Sequence, residues 1–203
     1  MKTLRLFLPA LIAAALALPA AAAEKIPLSE ISAYLNSLKR AKGEFTQINA
    51  DGSISTGTIY ISRPNRARFE YDPPAHGLVV VGRGHVAVFD RKSNTAPEMF
   101  PLGRTPLSII LAERVDLADS RMVVRHTGDG TATTVVAQDP QHPEYGNIQL
   151  KFTDEPLALR QWVITNEAGD QTTVVLGEMQ RGVRMAGSLF DVPDIGQQPG
   201  PTK

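Results

Sequence analysis

The sequence predicts a mainly β protein: an incomplete antiparallel β-barrel, or half-barrel, in which a helical lid encloses a hydrophobic cavity. One observation is that short segments of alternating apolar and polar residues follow one another along most of the chain. Period-two alternation is typical of a sheet with one buried face. Turn signals such as Gly82-Arg83-Gly84 separate these segments, and only two segments have helical spacing. Hairpin-linked strands at regular spacing indicate a barrel or a strongly curled sheet.

Residues 1–23 have the pattern of a cleaved secretory signal. Lys2 and Arg5 give the positive start, residues 6–18 form the apolar run, and the alanines that end at Ala23 offer a cleavage site. The run is shorter than the roughly 20 residues needed to span a bilayer. We therefore expect export to the periplasm, cleavage after about Ala23, one domain over residues 24–194, and a flexible tail at 195–203.

The composition argues against several functional classes. The chain has 203 residues and no cysteine, which rules out disulfides, thiolate metal sites and lipidation at a cysteine. Cleavage after Ala23 leaves 203 − 23 = 180 residues with a charge of 19 − 21 = −2, because Lys2 and Arg5 leave with the signal. This size suits one domain, and the slightly acidic balance argues against nucleic-acid binding.

Two helices are predicted. The first covers residues 29–40, where apolar residues recur at helical spacing: Leu28, Ile31, Leu35 and Leu38. The second covers residues 106–112, since Thr105 can cap a helix and Pro106 suits its first position. Both helices are expected to lie on an apolar surface.

The remaining segments are predicted as strands. The most informative pair spans residues 57–71 and changes direction at Arg63-Pro64, because proline cannot donate to a strand ladder. On this pair Ile59, Ile61, Ala67, Phe69 and Tyr71 share one face, and polar residues share the other, wet face. The other predicted strands cover residues 43–48, 78–81, 85–89, 121–126, 131–138, 147–152, 160–165 and 171–178, with 189–192 closing the ordered part.

No catalytic or metal-binding pattern stands out. The four histidines (His76, His85, His126 and His142) lack metal-ligand spacing, and Ser108 lies outside a Gly-x-Ser-x-Gly motif. Gly82-Arg83-Gly84 lies between two strands, where a phosphate-binding loop would need a helix to follow. We expect a protein that is not an enzyme and uses no cofactor or metal. A secreted hydrolase stays open as an alternative because catalytic triads need not be local in sequence.

A curled sheet with one apolar face must cover that face. The two helices look too few to fill the interior, so the sheet is expected to enclose a ligand cavity, as small ligand-carrying barrels do. This interpretation indicates a carrier of apolar molecules. A structural domain with a fully packed core is the alternative.

Several landmarks in order resemble one protein family. They are Gly43-Glu-Phe-Thr-Gln47, Gly57-x-Ile-x-Ile-x-Arg-Pro64, Phe69-Glu-Tyr71, Thr105-Pro-Leu-Ser-Ile-Ile-Leu111 and Phe190-Asp-Val-Pro193. Together they are similar to the periplasmic lipoprotein carriers called LolA. The resemblance implies a monomeric chaperone that takes triacylated lipoproteins from an inner-membrane ABC exporter to an outer-membrane receptor of the LolB type. A carrier or sensor of another envelope lipid, such as a glycolipid or phospholipid, could use the same half-barrel.

The resemblance also implies roles for individual residues. Arg63 matches the family's lid latch, which hydrogen-bonds the lid and holds the empty state closed. Ala67 stands where the family often has phenylalanine, which leaves the cavity size open. The expected acyl-binding wall consists of Leu35, Phe45, Ile59, Ile61, Phe69, Tyr71, Ile109, Ile110, Leu111, Trp162, Ile164 and Val175.

Overall fold

The computed structural model describes residues 24–90, 95–118 and 121–192. The expected signal (1–23) and tail (195–203) lie outside these residues. Helix α1 is Leu28–Ser37 and α2 is Leu107–Leu111. The strands are β1 (Arg40–Ile48), β2 (Ile54–Ser62), β3 (Ala67–Tyr71), β4 (Gly77–Gly82), β5 (His85–Asp90), β6 (Glu98–Pro101), β7 (Val123–Gly128), β8 (Thr133–Gln138), β9 (Asn147–Thr153), β10 (Ala158–Thr165), β11 (Gln171–Leu176) and β12 (Gln180–Arg181).

All twelve strands belong to one antiparallel sheet in the order β6-β5-β4-β3-β2-β1-β11-β10-β9-β8-β7, and the short β12 also pairs with β1. The sheet is therefore two meanders, β1 to β6 and β7 to β11, that meet where β1 pairs with β11. Strands β6 and β7 stand at opposite ends of this order, and no pairing between them is found among the described residues. The open antiparallel sheet with few helices confirms the predicted fold class.

Turn chemistry fixes the hairpins where the alternation predicted them. Between β4 and β5, Arg83 (φ 49°) and Gly84 (φ 78°) both have positive φ, as a tight two-residue hairpin requires. Between β2 and β3, Ile61 pairs with Ala67, and the connecting turn contains Pro64 and Asn65. The change of direction at Arg63-Pro64 is thus where the sequence predicts it.

Helix α1 ends at Ser37, three residues earlier than predicted. The Leu38 N–H donates to the Leu35 carbonyl (3.1 Å), and the chain enters β1 at Arg40. Leu38 is nevertheless buried, so its apolar spacing reflects a core contact just beyond the helix. Within the described residues, neither helix is long and apolar enough to cross a membrane.

The concave face of the sheet and the two helices share the main core. Ile31 and Leu35 of α1 are buried there, and the Tyr34 ring meets the Phe152 ring edge-on at a centroid distance of 5.9 Å. Trp162 is only 1% exposed in the same core. Each such side chain contributes roughly 1.5–3 kcal/mol when fully buried, so packing holds the short helices on the sheet.

The outer face is not wet throughout, in contrast to the prediction. A small second core, lined by Leu78, Val80, Ala87 and Phe89 with Val192 against it, lies apart from the main core. Arg68 is 4% exposed; its Nε binds the Glu70 carboxylate at 2.7 Å, and its Nη1 donates to the Leu189 carbonyl at 3.2 Å. A covering segment, rather than solvent, therefore meets this part of the outer face.

The predicted closing strand at 189–192 is wrong, because this covering segment is not a strand. Gly187–Phe190 forms a 3-10 turn, and the Phe190 carbonyl would lie 2.4 Å from a Cβ at Gly82 of β4. Adjacent apolar residues at Leu189 and Phe190 do not alternate, so the strand prediction had little support. The strands β6 and β12 were also missed, because they are short and every residue in them is exposed.

Candidate lid latch and apolar interior

Arg63 lies in the turn between β2 and β3, where the sheet meets the ends of both helices. Two backbone hydrogen bonds hold the turn in place. The Arg63 N–H donates to the Lys39 carbonyl just after α1 (2.9 Å), and the Asn65 N–H donates to the Leu111 carbonyl, the last residue of α2 (2.8 Å). The half-buried Arg63 side chain is thus placed between the C-terminal ends of α1 and α2.

The Arg63 guanidinium binds both helix ends. Its Nε and Nη2 donate to the Ala112 carbonyl at 2.9 and 2.6 Å, and its Nη1 donates to the Leu35 carbonyl. The last carbonyls of a helix lack intrahelical partners and carry the negative end of the helix dipole, so a cation is favoured there. Partial burial lowers the pKa of Arg63, but arginine stays charged in proteins. One side chain therefore ties two helices to the sheet.

A second set of contacts, not anticipated from the sequence, ties α1 to the segment that follows α2. The Asn36 side chain exchanges two hydrogen bonds with the Val115 backbone, at 2.8 and 2.9 Å. Ser32 Oγ accepts from the Leu117 N–H at 2.9 Å and donates to the Leu28 carbonyl at 2.7 Å. Asn36 Oδ1 also accepts from Arg63 Nη2 at 3.1 Å. We call the Ser32 and Asn36 contacts the helix clasp.

The only sequence signal for the helix clasp was a pair of polar residues one turn apart on α1. Ser32 is 7% exposed, since its position four residues after Leu28 and three before Leu35 places it on the buried stripe of the helix. Because the clasp joins α1 to residues 115–117 and Arg63 joins both helix ends, the helices and this segment form one lid.

Eleven of the twelve predicted wall residues lie on the concave side. Nine are buried in the main core: Leu35, Phe45, Ile59, Ile61, Phe69, Ile109, Ile110, Leu111 and Trp162. Tyr71 and Ile164 are partly buried and pack against it. The sheet and the lid both contribute, so the structure brings these residues together at one lid–sheet contact.

Val175 is the exception, and its predicted place in the interior is wrong. It is 39% exposed, while its neighbours Val174 and Leu176 are buried in the main core. Successive side chains of a strand point to opposite faces, so Val175 of β11 faces outward, level with Thr46 of β1. There it lines an outer groove of about 510 Å³.

The aromatic side chains of the interior form a chain of edge-on contacts. The centre of the Phe45 ring lies 5.6 Å from that of Phe69 and 5.2 Å from that of Tyr71. The ring centres of Phe69 and Trp162 lie 6.4 Å apart. The Tyr71 hydroxyl donates to Gln47 Oε1 at 2.7 Å. Burial raises the pKa of Tyr71 to about 12. Such edge-to-face pairs give a stiff apolar wall.

The lid lies close against this wall. A cavity lined by Leu35, Ile61, Arg63, Ile110 and Trp162 measures about 20 Å³, which is room for roughly one water molecule. The cavity also touches four residues outside the expected wall: Leu38, Leu159, Leu176 and Met179. At this place the helices fill the interior, against the expectation that they are too few, and an acyl chain could enter only if the lid moved.

No metal-binding set accompanies this interior. Within residues 24–90, 95–118 and 121–192, no three His, Asp or Glu side chains group closely enough to hold a metal ion. The contacts available there are apolar surfaces, aromatic rings and one guanidinium. Among the described residues, the contacts there are therefore mainly non-directional.

The family model and the sequence relatives name the same family. Residues 36–193 match the family described as "Outer membrane lipoprotein carrier protein LolA". An outer-membrane lipoprotein carrier protein of Methylococcus capsulatus is 24% identical over 179 residues, covering 84% of this chain and 85% of the relative. One from Xylella fastidiosa is 37% identical over 75 residues, covering 34% and 36%. A LolA superfamily protein from Nitrosomonas europaea has a TM-score of 0.44 at 7% identity, covering 82% and 98%. This chain belongs to the LolA family of outer-membrane lipoprotein carrier proteins.

Proposed function

We propose that this protein is a periplasmic carrier that holds the acyl chains of triacylated lipoproteins between its lid and the concave face of its sheet. It receives them from an inner-membrane ABC exporter and delivers them to an outer-membrane receptor of the LolB type. The observation that carries this proposal is the Arg63 side chain, which fastens both lid helices over an apolar interior through their terminal carbonyls.

The energetics suit a carrier that opens for its cargo. Opening the lid breaks the Arg63 hydrogen bonds, each contributing roughly 1.5–3 kcal/mol because one partner is charged. It also exposes lid residues such as Ile110 and Leu111, which are buried in the closed state. An acyl chain repays this cost at roughly 0.8 kcal/mol per CH₂. The closed state therefore weakens net cargo binding, which allows release to a receptor.

Replacing the proposed latch tests this mechanism. Arg63→Leu removes every latch hydrogen bond, so the closed empty state loses stability and the variant should retain bound lipoprotein. The matched control is Arg125→Leu, which changes an exposed arginine of β7 whose side chain donates to Gln149 Oε1 at 3.3 Å. Transfer of a purified, loaded lipoprotein to its receptor is the measurement. Release by Arg63→Leu as fast as by the unaltered protein would contradict the latch.

The identity of the cargo needs a separate measurement. Mass spectrometry of the protein purified gently from the periplasm should detect acylated lipoprotein, most abundantly with Arg63→Leu. Free glycolipid or phospholipid in its place would support the carrier or sensor of another envelope lipid and contradict the lipoprotein cargo.

A further inference from the structure

Five exposed cationic residues lie close to Arg63 along the backbone, and we call them the latch rim: Lys39, Arg40, Arg66, Arg114 and Arg181. Two of their guanidinium groups also lie over aromatic rings, Arg66 over Phe190 at 5.6 Å and Arg181 over Tyr34 at 4.8 Å. Backbone contacts bring the first three together. The Arg63 N–H donates to the Lys39 carbonyl and the Ser62 N–H donates to the Arg66 carbonyl, each at 2.9 Å. Ser62 in turn pairs with Arg40 across β1 and β2.

The other two members lie against the same turn and strand. Arg181 of β12 pairs with Ala41, next to Arg40 in β1. Arg114 lies two residues after Ala112, whose carbonyl accepts from Arg63. Strand ends, a turn and both helix ends therefore meet at one rim.

The latch rim reverses the charge balance of the chain. With Arg63 it holds six cations. The nearby acidic residues are Glu113 and Asp116 beside Arg114, Glu178 three residues before Arg181, and Asp191 next to Phe190, whose ring lies 5.6 Å from the Arg66 guanidinium. The local sum is 6 − 4 = +2, and since residues 24–203 sum to 19 − 21 = −2, the rest of the chain carries −2 − 2 = −4. Separation of charge on this scale produces a field that orients the protein toward an anionic surface.

The surroundings of the rim favour a lipid surface over a protein partner. The large exposed apolar residues of the described part lie elsewhere: Ile48, Ile54, Val88, Met99, Phe100, Val124 and Val175. A protein interface usually has an apolar centre, which the rim lacks. Arginine forks match phosphate geometry, and the rim is richer in arginine than in lysine.

We propose that the latch rim docks this protein reversibly on the surface of an anionic phospholipid bilayer. Each basic residue near such a surface raises the affinity for the bilayer about fivefold. Five of them therefore give measurable but reversible binding. The docking depends on charge and exposure alone. Its consequence for the carrier, that the lid latch faces the membrane from which acyl chains are withdrawn, rests on the proposed function.

Vesicle sedimentation with the unloaded protein tests the docking. Vesicles with about 30% phosphatidylglycerol should bind the protein at low ionic strength, and pure phosphatidylcholine vesicles should not. Binding should fall away in about 1 M salt, where screening is nearly complete. The double variant Lys39→Glu with Arg40→Glu should bind at least about 30-fold more weakly, since two attractive charges become repulsive.

A charge-matched control lies at the other end of the lid. Arg121→Glu with Arg125→Glu makes the same charge change on exposed residues at β7, near His126, which contacts Ile26 just before α1 begins. A helix the length of α1 spans about 15 Å, so this control sits well away from the rim and should bind like the unaltered protein.

Three outcomes would overturn the proposal. They are equal binding to both vesicle types, equal loss in both double variants, or absence of vesicle binding together with binding of a polyglutamate probe, which would assign an acidic protein as partner. The salt titration uses the unaltered protein, so it tests the electrostatic docking even if a variant misfolds. Binding of an acylated peptide, measured in parallel, should be unchanged in the rim variant, so failure of docking and failure of the carrier function are distinguishable.

Discussion

At the scale of single residues, Arg63 shows why residue type matters at the latch. Its planar fork reaches the Leu35 and Ala112 carbonyls at the same time. A lysine ammonium is a point charge on a flexible stem and has no such fork. The Arg-Pro motif singled out Arg63, and its role as a latch stays a prediction. The carbonyls that it binds could not be predicted, since they depend on how two distant helices meet.

The helix clasp leads to a matched pair of serine substitutions. Ser32→Ala leaves the Leu117 N–H without its acceptor, and Leu117 is 1% exposed, so the free energy of unfolding should fall by about 1–3 kcal/mol. Ser37→Ala is the control, because the Ser37 hydroxyl bonds only to the Tyr34 carbonyl of its own helix. Denaturant unfolding measures both, and equal effects would show that the clasp contributes nothing specific.

The raised pKa of Tyr71 leads us to expect that the protein loses stability at alkaline pH. Burial raises its pKa to about 12, above the usual value near 10. As the pH rises past about 10, the unfolded chain releases this proton first, so stability is complete below that pH and declines up to about pH 12. The loss amounts to roughly 2–3 kcal/mol.

Tyr71→Phe keeps the ring and removes the titrating hydroxyl. Its free energy of unfolding should fall less steeply between about pH 10 and pH 12. Some loss should persist, because burial and the neighbouring Glu70 also raise the pKa of Tyr60. Parallel denaturation curves across this range make the comparison, and identical slopes would exclude Tyr71 as the source.

At the scale of elements, the period-two pattern predicted well wherever a strand has one buried face. The β2–β3 pair shows this on its inner side, where Ile59, Ile61, Ala67 and Phe69 are all buried, although Arg68 on its outer side is covered as well. The pattern was misleading at Val175, which is apolar but faces outward. Apolar character alone does not fix the face; the register does, and register depends on the neighbouring strand.

The segment that ends the ordered chain was mispredicted for a related reason. Its position on the outer face depends on Gly82, Arg66 and Arg68, which lie more than a hundred residues earlier. The Arg66 guanidinium lies 5.6 Å from the centre of the Phe190 ring, and Arg68 binds the Leu189 carbonyl. Contacts so distant in sequence leave no local signal.

Gly82 offers a test of this outer contact. Gly82→Ala would place its Cβ 2.4 Å from the Phe190 carbonyl oxygen, so the 3-10 turn must shift, at a cost of about 1–3 kcal/mol. Gly103→Ala is the control, since nothing lies within 4 Å of its Cβ position. Limited proteolysis after residue 186 should be faster for Gly82→Ala alone, and equal cleavage of the two variants would argue against the contact.

At the scale of the whole molecule, overlapping contacts join the parts of the lid. Asn36 Oδ1 accepts from both Val115 and Arg63, so the helix clasp and the latch share an atom. This coupling could not be predicted from the sequence, since it joins three separate segments. The sequence did predict an apolar interior covered by two helices, and it underestimated how completely those helices cover it.

Shared contacts predict non-additive energetics. A double-mutant cycle between Asn36→Ala and Arg63→Leu should show a coupling energy of about 0.5–3 kcal/mol in denaturant unfolding. A cycle between Gly82→Ala and Arg63→Leu should be additive within about 0.5 kcal/mol, because Gly82 contacts the C-terminal segment and not the lid. Additivity in the first cycle would mean that latch and clasp act independently.

The seam between the two meanders sets the order in which the protein can fold. Strand β1 is the first strand along the chain and β11 is the second to last. They pair through residues such as Phe45 and Leu176. Contacts this far apart along a chain form slowly. The hairpins within each meander can assemble early, but the central seam must wait until residue 176 is available. We therefore expect the lid helices to gain their complete base only in the final stage of folding.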